Sequence, residues 1–303
     1  ALRFDVQAQI KAGVAYRPLV EVHGLPCWPA LPDYAQLVGG DALAAAPPSF
    51  ESPWDPHVET RRVLQVQRDF DHVVLAIGGG AVEGVCSQLV ARSPRWRCMV
   101  ENLHSVATQA AQVWLTEDMH TLGWKHPPVN LSGWVEPFDT WADMSHLIPA
   151  EAYSVPVRAI AYFCSPLRDP PPGERASGDA FHQQAQLRVR NNALRFLQRD
   201  LGALWPGACD ASGAFRFEVL AAEPAQDAAP AGEQRFDSQF WTANVRPSDR
   251  YVLALPGTRK YRLSPLDMSF DNFTIAGDWT ETGLNTGCVE SAVMSGRLAA
   301  HAL

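Results

Sequence analysis

The stretch of this 303-residue chain whose residue types and spacing could do chemistry lies near its carboxyl end. It reads Phe273-Thr274-Ile275-Ala276-Gly277-Asp278-Trp279-Thr280, then Gly283-Leu284-Asn285-Thr286-Gly287, then Cys288-Val289-Glu290-Ser291-Ala292-Val293 and on to Ala300. That order predicts a strand, a glycine-rich loop and a helix. A strand over Phe273 to Ala276 delivers Asp278 to the carboxyl edge of a sheet, where open α/β folds bind ligands. Gly277, Gly283 and Gly287 allow the backbone nearer to a ligand than any residue with a Cβ would. The free N–H groups at the helix start point back at the loop with partial positive charge. The helix is expected to bury Val289, Ala292, Val293, Gly296 and Ala300. The result is an anion-friendly cradle beside one fixed carboxylate. The bland alternative, a strand-turn-helix that holds nothing, leaves three glycines and a carboxylate without a packing reason.

Other elements must carry this turn. Val73 to Ile77 is a continuous apolar run closed by Gly78-Gly79-Gly80, which predicts a strand buried on both faces in a parallel sheet, followed by a helix over Val82 to Ala91. The three glycines fit either a phosphate loop or a glycine-rich connector, and no acidic ribose reader stands at a strand end about 20 residues on. Leu2 to Lys11 alternates apolar and polar residues without a break and predicts one half-buried strand, with Leu2, Phe4, Val6, Ala8 and Ile10 on the inner face. A second β-like run reaches about His23, a short helix follows around Asp33 to Val38, and residues 39 to 57 read as loop. Ala107 to Leu115 and Val157 to Phe163 predict strands. Asp179 to Leu204 predicts a long helix, with Ala185, Val189, Ala193, Phe196, Leu197, Leu201 and Leu204 inward and Arg188, Arg190, Arg195, Arg199 and Asp200 outward. Residues 169 to 173 and 221 to 234 read as exposed loops.

Composition narrows the classes. A formal charge of −8 argues against a nucleic-acid partner held by bulk electrostatics. Hydrophobic residues make up 47% and charged residues 19%, as in a folded globular protein, and no apolar run reaches the roughly 18 residues of a membrane span. The six cysteines stand singly, with no metal-ligand spacing, and read as reduced thiols in a cytoplasmic protein. No metal site, GxSxG, HExxH or P-loop is expected.

The terminal segment resembles the close of the flavin-dependent oxidoreductases of the amine oxidase and phytoene desaturase superfamily, a pattern of the form h-h-A-G-D-x-T…G-x-x-G-C/A-h-E-[SA]-A. Phe70-Asp71-His72-Val73-Val74-Leu75-Ala76-Ile77-Gly78 looks like the segment that returns such a chain to its FAD sheet. The resemblance implies that Asp278 accepts hydrogen bonds from the ribityl chain of FAD. It also implies that Gly277, Trp279, Gly283, Leu284, Asn285, Thr286 and Gly287 pass by the cofactor, that backbone amides near Cys288 and Val289 face the isoalloxazine ring, and that Ala76 and Gly78 complete the site. Cys288 is expected to pack beneath the flavin rather than act as a nucleophile.

The family's amino-terminal GxGxxG unit has no match here, so the chain is expected to be a carboxy-terminal part. The implied fold is α/β: an incomplete Rossmann-like FAD-binding domain with a mixed, mainly antiparallel β plus α substrate domain. Residues 1–57 supply substrate-domain strands and a loop, 58–100 part of the FAD-binding domain, 101–245 the substrate domain, and 246–303 the rest of the FAD-binding domain. The implied activity is dehydrogenation of a C–H bond in a small amine or apolar substrate, with the part inactive alone; the alternative is a noncatalytic module that keeps the flavoprotein scaffold. An aromatic cage could draw on Trp241, Tyr251, Tyr261 and Trp279, and a catalytic lysine could be Lys260; such tryptophans more often serve packing. The run Arg259-Lys260-Tyr261-Arg262 reads as a solvated loop or, less readily, an acidic-substrate site.

Overall fold

The computed structural model describes residues 1–170, 178–223 and 230–303. Apolar residues two apart seat one face of a strand, and the chain uses this pattern in several small sheets and one larger one. It opens with β1 (Leu2–Val6), the hairpin strands β2 (Val20–Val22) and β3 (Leu25–Cys27), and a short helix α1 (Gly40–Ala45). Then come β4 (Thr60–Leu64), β5 (Val73–Leu75), and the helices α2 (Val82–Val85), α3 (Ser87–Arg92) and α4 (Pro94–Asn102). The middle holds β6 (Ser105–Val106), β7 (Thr108–Leu115), β8 (Asn130–Leu131), β9 (Thr140–Asp143), β10 (Ala159–Pro166), α5 (Asp179–Arg199) and β11 (Phe240–Asn244). Last are β12 (Tyr251–Val252), β13 (Phe273–Ile275) and α6 (Val289–Ala302).

Two apolar cores result among the described residues. In the first, five antiparallel strands lie in the order β11-β7-β10-β9-β8 with α5 packed against them. The small side chains of Ala110 and Ala111 in β7 are buried in the sheet. Edge-to-face contacts join Trp141 to Trp205 (5.5 Å) and Phe163 to Phe196 (5.2 Å). All seven inward positions expected of the long helix are buried. The second core gathers Leu75, Val82, Trp96, Met99, Val252, Leu263, Ile275 and Trp279 around β5 and β13, which pair in parallel from Val73↔Phe273 to Leu75↔Ile275. A short antiparallel pair, β6 with β12, runs between them in sequence.

Several expectations change. Of the expected parallel Rossmann-like sheet, the described residues form one parallel pair, so Val74 in β5 is 46% exposed rather than covered on both faces. β1 stops at Val6, pairs with β4, which had no clear sequence signal, and leaves Phe4 exposed because, among the described residues, no layer covers that side of this two-stranded ribbon. The Val82–Ala91 helix breaks at Cys86, where two β-branched valines and Gly84 give weak helical propensity. Helix α1 lies in the expected 39–57 loop, and α5 ends at Arg199 with a 3-10 turn at Leu201–Ala203 before Pro206. Of the expected loops, residues 171–173 and 224–229 lie outside the described residues, and Gly232–Ser238 is a 3-10 helix where the second loop was expected to reach 234. All six cysteines are free. Among the described residues no helix is long and apolar enough to cross a membrane, and no cluster of three or more His, Cys, Asp or Glu could hold a metal.

Candidate functional site

β5 and β13 end side by side, and both chains turn at their carboxyl ends. The indole of Trp279 fills the gap between the turns, 1% exposed, with its N–H donating to the Ile77 carbonyl at 2.8 Å. Its ring lies so close that a Cβ on Gly277 would stand 2.4 Å from Nε1, and one on Gly79 would stand 3.0 Å from Cγ. Gly277 also has φ +146°, a backbone region that excludes most side chains. On the other wall, a Cβ on Gly78 would meet the Ser248 carbonyl oxygen at 2.2 Å, and one on Gly80 the Pro247 carbonyl oxygen at 2.4 Å. Close backbone packing therefore accounts for Gly78 to Gly80, in favour of the connector reading; the helix that follows them has only four residues.

Asp278 lines a cavity of about 200 Å³, opposite Gly78, His104, Ser105, Arg250 and Tyr251. The carboxyl is half-buried, and burial pushes its pKa above the usual 3.8 while Arg262 pulls the other way. Arg262, only 5% exposed, donates from Nη1 to the Asp278 carbonyl at 3.0 Å and from Nη2 to the Leu253 carbonyl at 3.4 Å. Burial pulls the guanidinium the opposite way, lowering its pKa, while the charge of Asp278 raises it. Arg250 is already committed, donating to both Asp169 carboxylate oxygens at 2.9 and 2.6 Å and from Nε to the Ser105 hydroxyl at 3.1 Å. Tyr251 donates its hydroxyl proton to the Gly287 carbonyl, and burial followed by the charge of Asp278 pushes its phenol up.

The loop is organised by hydroxyls. Ser295 accepts from the Gly277 N–H at 3.0 Å and shares a 2.7 Å hydrogen bond with Thr280, while Ser291 meets the Thr282 hydroxyl at 2.8 Å. Thr282 and Asn285 close a reciprocal turn, with Asn285 at φ 53°. Buried polar groups need partners, so α6 turns Ser291, Ser295 and Ala299 inward. This reverses the expected face: Val289 is 76% and Val293 56% exposed, and Ala292, Gly296 and Ala300 are exposed too. Cys288 caps the helix, its sulfur accepting from the Ser291 N–H at 3.4 Å. The first hydrogen bond of the helix runs from the Ala292 N–H to the Cys288 carbonyl, so the amides of Val289 and Glu290 precede it and stand at an open end.

The structure thus brings Asp278 and Gly78 to one cavity and places Gly277 and the Thr282–Asn285 turn behind it. Gly283, Leu284 and Thr286 are exposed at the loop tip, and Ala76 is exposed at the end of β5. Of the four aromatic cage candidates, Tyr251 alone lines the cavity. Trp279 is buried as a structural wedge, and Trp241 stacks on Phe236 (5.4 Å) and has the Arg190 guanidinium over its ring at 5.9 Å. Lys260 lies exposed over the Tyr261 ring, and neither lines the cavity. Sequence reasoning passed over Arg262 by grouping it with the exposed cations; its cue is that the apolar Leu263 follows directly and is buried too.

A half-buried carboxylate on a cavity wall, glycine backbone opposite and an open helix amino end nearby can together receive a polar ligand. A comparison with curated proteins finds no match. Among solved structures, an oxidoreductase from Methanosarcina mazei is similar, with 12% identity and a TM-score of 0.47; the alignment covers 77% of this chain and 43% of that one. The chain thus spans less than half the length of this solved relative. A family model for flavin containing amine oxidoreductases matches residues 57–303. With most of its length matched, including both strands and the helix that frame Asp278, the chain belongs to the flavin-containing amine oxidoreductase family.

Proposed function

We propose that the chain is the carboxy-terminal portion of an FAD-dependent oxidoreductase that dehydrogenates a C–H bond of an amine or apolar small molecule. The observation that carries this reading is Asp278, which leaves the carboxyl end of one parallel strand and faces a cavity shared with Gly78 from the end of the other. When bound, FAD would supply the redox chemistry by accepting a hydride equivalent from the substrate. Asp278 would accept hydrogen bonds from the ribityl hydroxyls, and the open amides of Val289 and Glu290 would face negative charge on the ring. Gly277 and Trp279 would hold the turn in place.

Two further features support the division into a cofactor part (58–100 with 246–303) and a substrate part (101–245). The two apolar cores follow it, one drawing on residues 107–245 and the other on residues 75–279 outside that span. Among the described residues β5 also has an open edge, and α6 turns Val289 and Val293 outward, which suits a further parallel strand and helix packed there. The test is to mix the chain with FAD, remove free flavin by gel filtration and record the flavin absorbance, for this chain and for a version extended at its amino end. The reading expects flavin to stay with the extended version and to be lost when Asp278 is replaced by Ala. An extended, folded protein that elutes colourless would overturn it in favour of the noncatalytic scaffold.

A further inference from the structure

Arg262 is the buried cation of the cofactor turn. It sits in the 3-10 turn region after Arg259–Tyr261, and its two terminal nitrogens reach carbonyls on separate segments: Asp278 after β13 and Leu253 after β12. Among the described residues it makes no ion pair within 4 Å, whereas Arg250 across the cavity is neutralised by Asp169. A guanidinium buried to this degree without a carboxylate against it is costly, and structures keep one where it does something a neutral side chain could not. The group that gains is the Asp278 carboxyl, which is itself half-buried and belongs to the residue whose carbonyl the guanidinium holds at 3.0 Å, so that the positive charge sits close to it.

We infer that Arg262 is a positioning residue for this turn: it ties the Asp278 carbonyl to the Leu253 carbonyl and holds a compensating charge behind the Asp278 carboxylate. This rests on the reading of Asp278 as the acceptor for the flavin's sugar-alcohol hydroxyls. The other titratable or charged groups around Asp278 are Tyr251 within β12 and Arg250 just before it, His104 before β6, and Cys288 at the head of α6. Arg250 is paired with Asp169 and Tyr251 is committed to Gly287; among the described residues Arg262 is the cation whose charge acts on Asp278.

The experiment compares Arg262→Gln and Arg262→Lys with the parent chain. One arm follows the titration of the Asp278 carboxyl carbon by NMR without flavin; the other follows FAD retention against pH in the extended protein. In the Gln variant the Asp278 midpoint should rise, and FAD should be released at correspondingly higher pH, with affinity at neutral pH reduced by about tenfold. Lys keeps the charge but loses the two-carbonyl fork, so its midpoint should stay nearer the parent's. A folded Gln variant with an unmoved Asp278 midpoint overturns the inference. Should the Gln variant fail to fold, the Lys variant decides: a midpoint near the parent's supports the charge role, and one raised well above it overturns it. If the parent protein binds no FAD at all, the flavin reading fails by itself, while the NMR arm still decides what Arg262 does to Asp278.

Discussion

The indole N–H of Trp279 and the carbonyl of Ile77 meet at 2.8 Å although 202 residues separate them in the chain. This bond joins the two turns at the carboxyl ends of β5 and β13, and the ring beneath it fills the space left by Gly277 and Gly79. Trp279→Phe keeps most of the volume but leaves the Ile77 carbonyl without its donor, for an expected loss of about 1–3 kcal/mol in denaturant unfolding. Trp279→Ala should cost about 3–5 kcal/mol. An unchanged midpoint for the Ala variant would show that the ring is not packed as described.

Gly277→Ala places a Cβ against the Trp279 ring in a backbone region that L residues rarely adopt. It should destabilise the chain without flavin present, by about 1–3 kcal/mol for the backbone alone. Gly84→Ala, which meets nothing within 4 Å, is the control and should be neutral or mildly stabilising. Thermal unfolding of the two variants side by side checks this.

The two faces of α6 should respond in opposite ways. Ser295→Ala strips the Gly277 N–H and the Thr280 hydroxyl of a buried partner and should cost about 1–3 kcal/mol. Val293→Ser, on the outward face, should stay within about 0.5 kcal/mol of the parent chain. In an amino-terminally extended protein the same Val293→Ser change should become destabilising if a further element covers that face. Urea midpoints of both variants in both lengths settle the matter.

Acidity should affect this chain in a distinctive direction through Asp278. Its folded pKa stands above 3.8, so between 3.8 and the folded value the folded state binds more protons than the unfolded state. The group's contribution to stability is present below 3.8 and is lost as pH rises through the folded value. Asp55, Asp118 and Asp210 have lowered values and act oppositely, so the informative quantity is the difference between the parent and Asp278→Asn. That difference should favour Asn increasingly as pH climbs past this window. Flavin retention should run the other way, weakening as pH falls through the same window.

The residues that were easiest to read were those with one job. The long helix shows an apolar repeat at helical spacing, and each of its seven inward positions is buried. The strand before Asp278 and the parallel strand before Gly78 were legible because apolar runs closed by glycine have few other uses. The face of α6 was misread because hydropathy ranks valine above serine for burial, whereas the neighbouring loop offered N–H and hydroxyl groups that valine cannot satisfy. Trp279 looked like a ligand-facing aromatic because it follows Asp278, yet the carbonyl that fixes it lies far away in sequence. Arg262 was hidden by its neighbours: Arg259 and Lys260 are exposed, and only the fold separates the third cation from them.

The parallel pair also sets an order of assembly. Val73–Leu75 meets Phe273–Ile275 only after everything from Ser105 to Asn244 has been threaded between them, whereas β7 and β10 lie close in the chain and can join early. Closing a loop of that size is entropically slow until its interior is compact. During synthesis the helices after β5 must therefore wait, partly unsheathed, until the final segment emerges. Ribosome-bound chains halted before Phe273 should be cleaved by protease around Val82–Asn102 while the antiparallel sheet already resists.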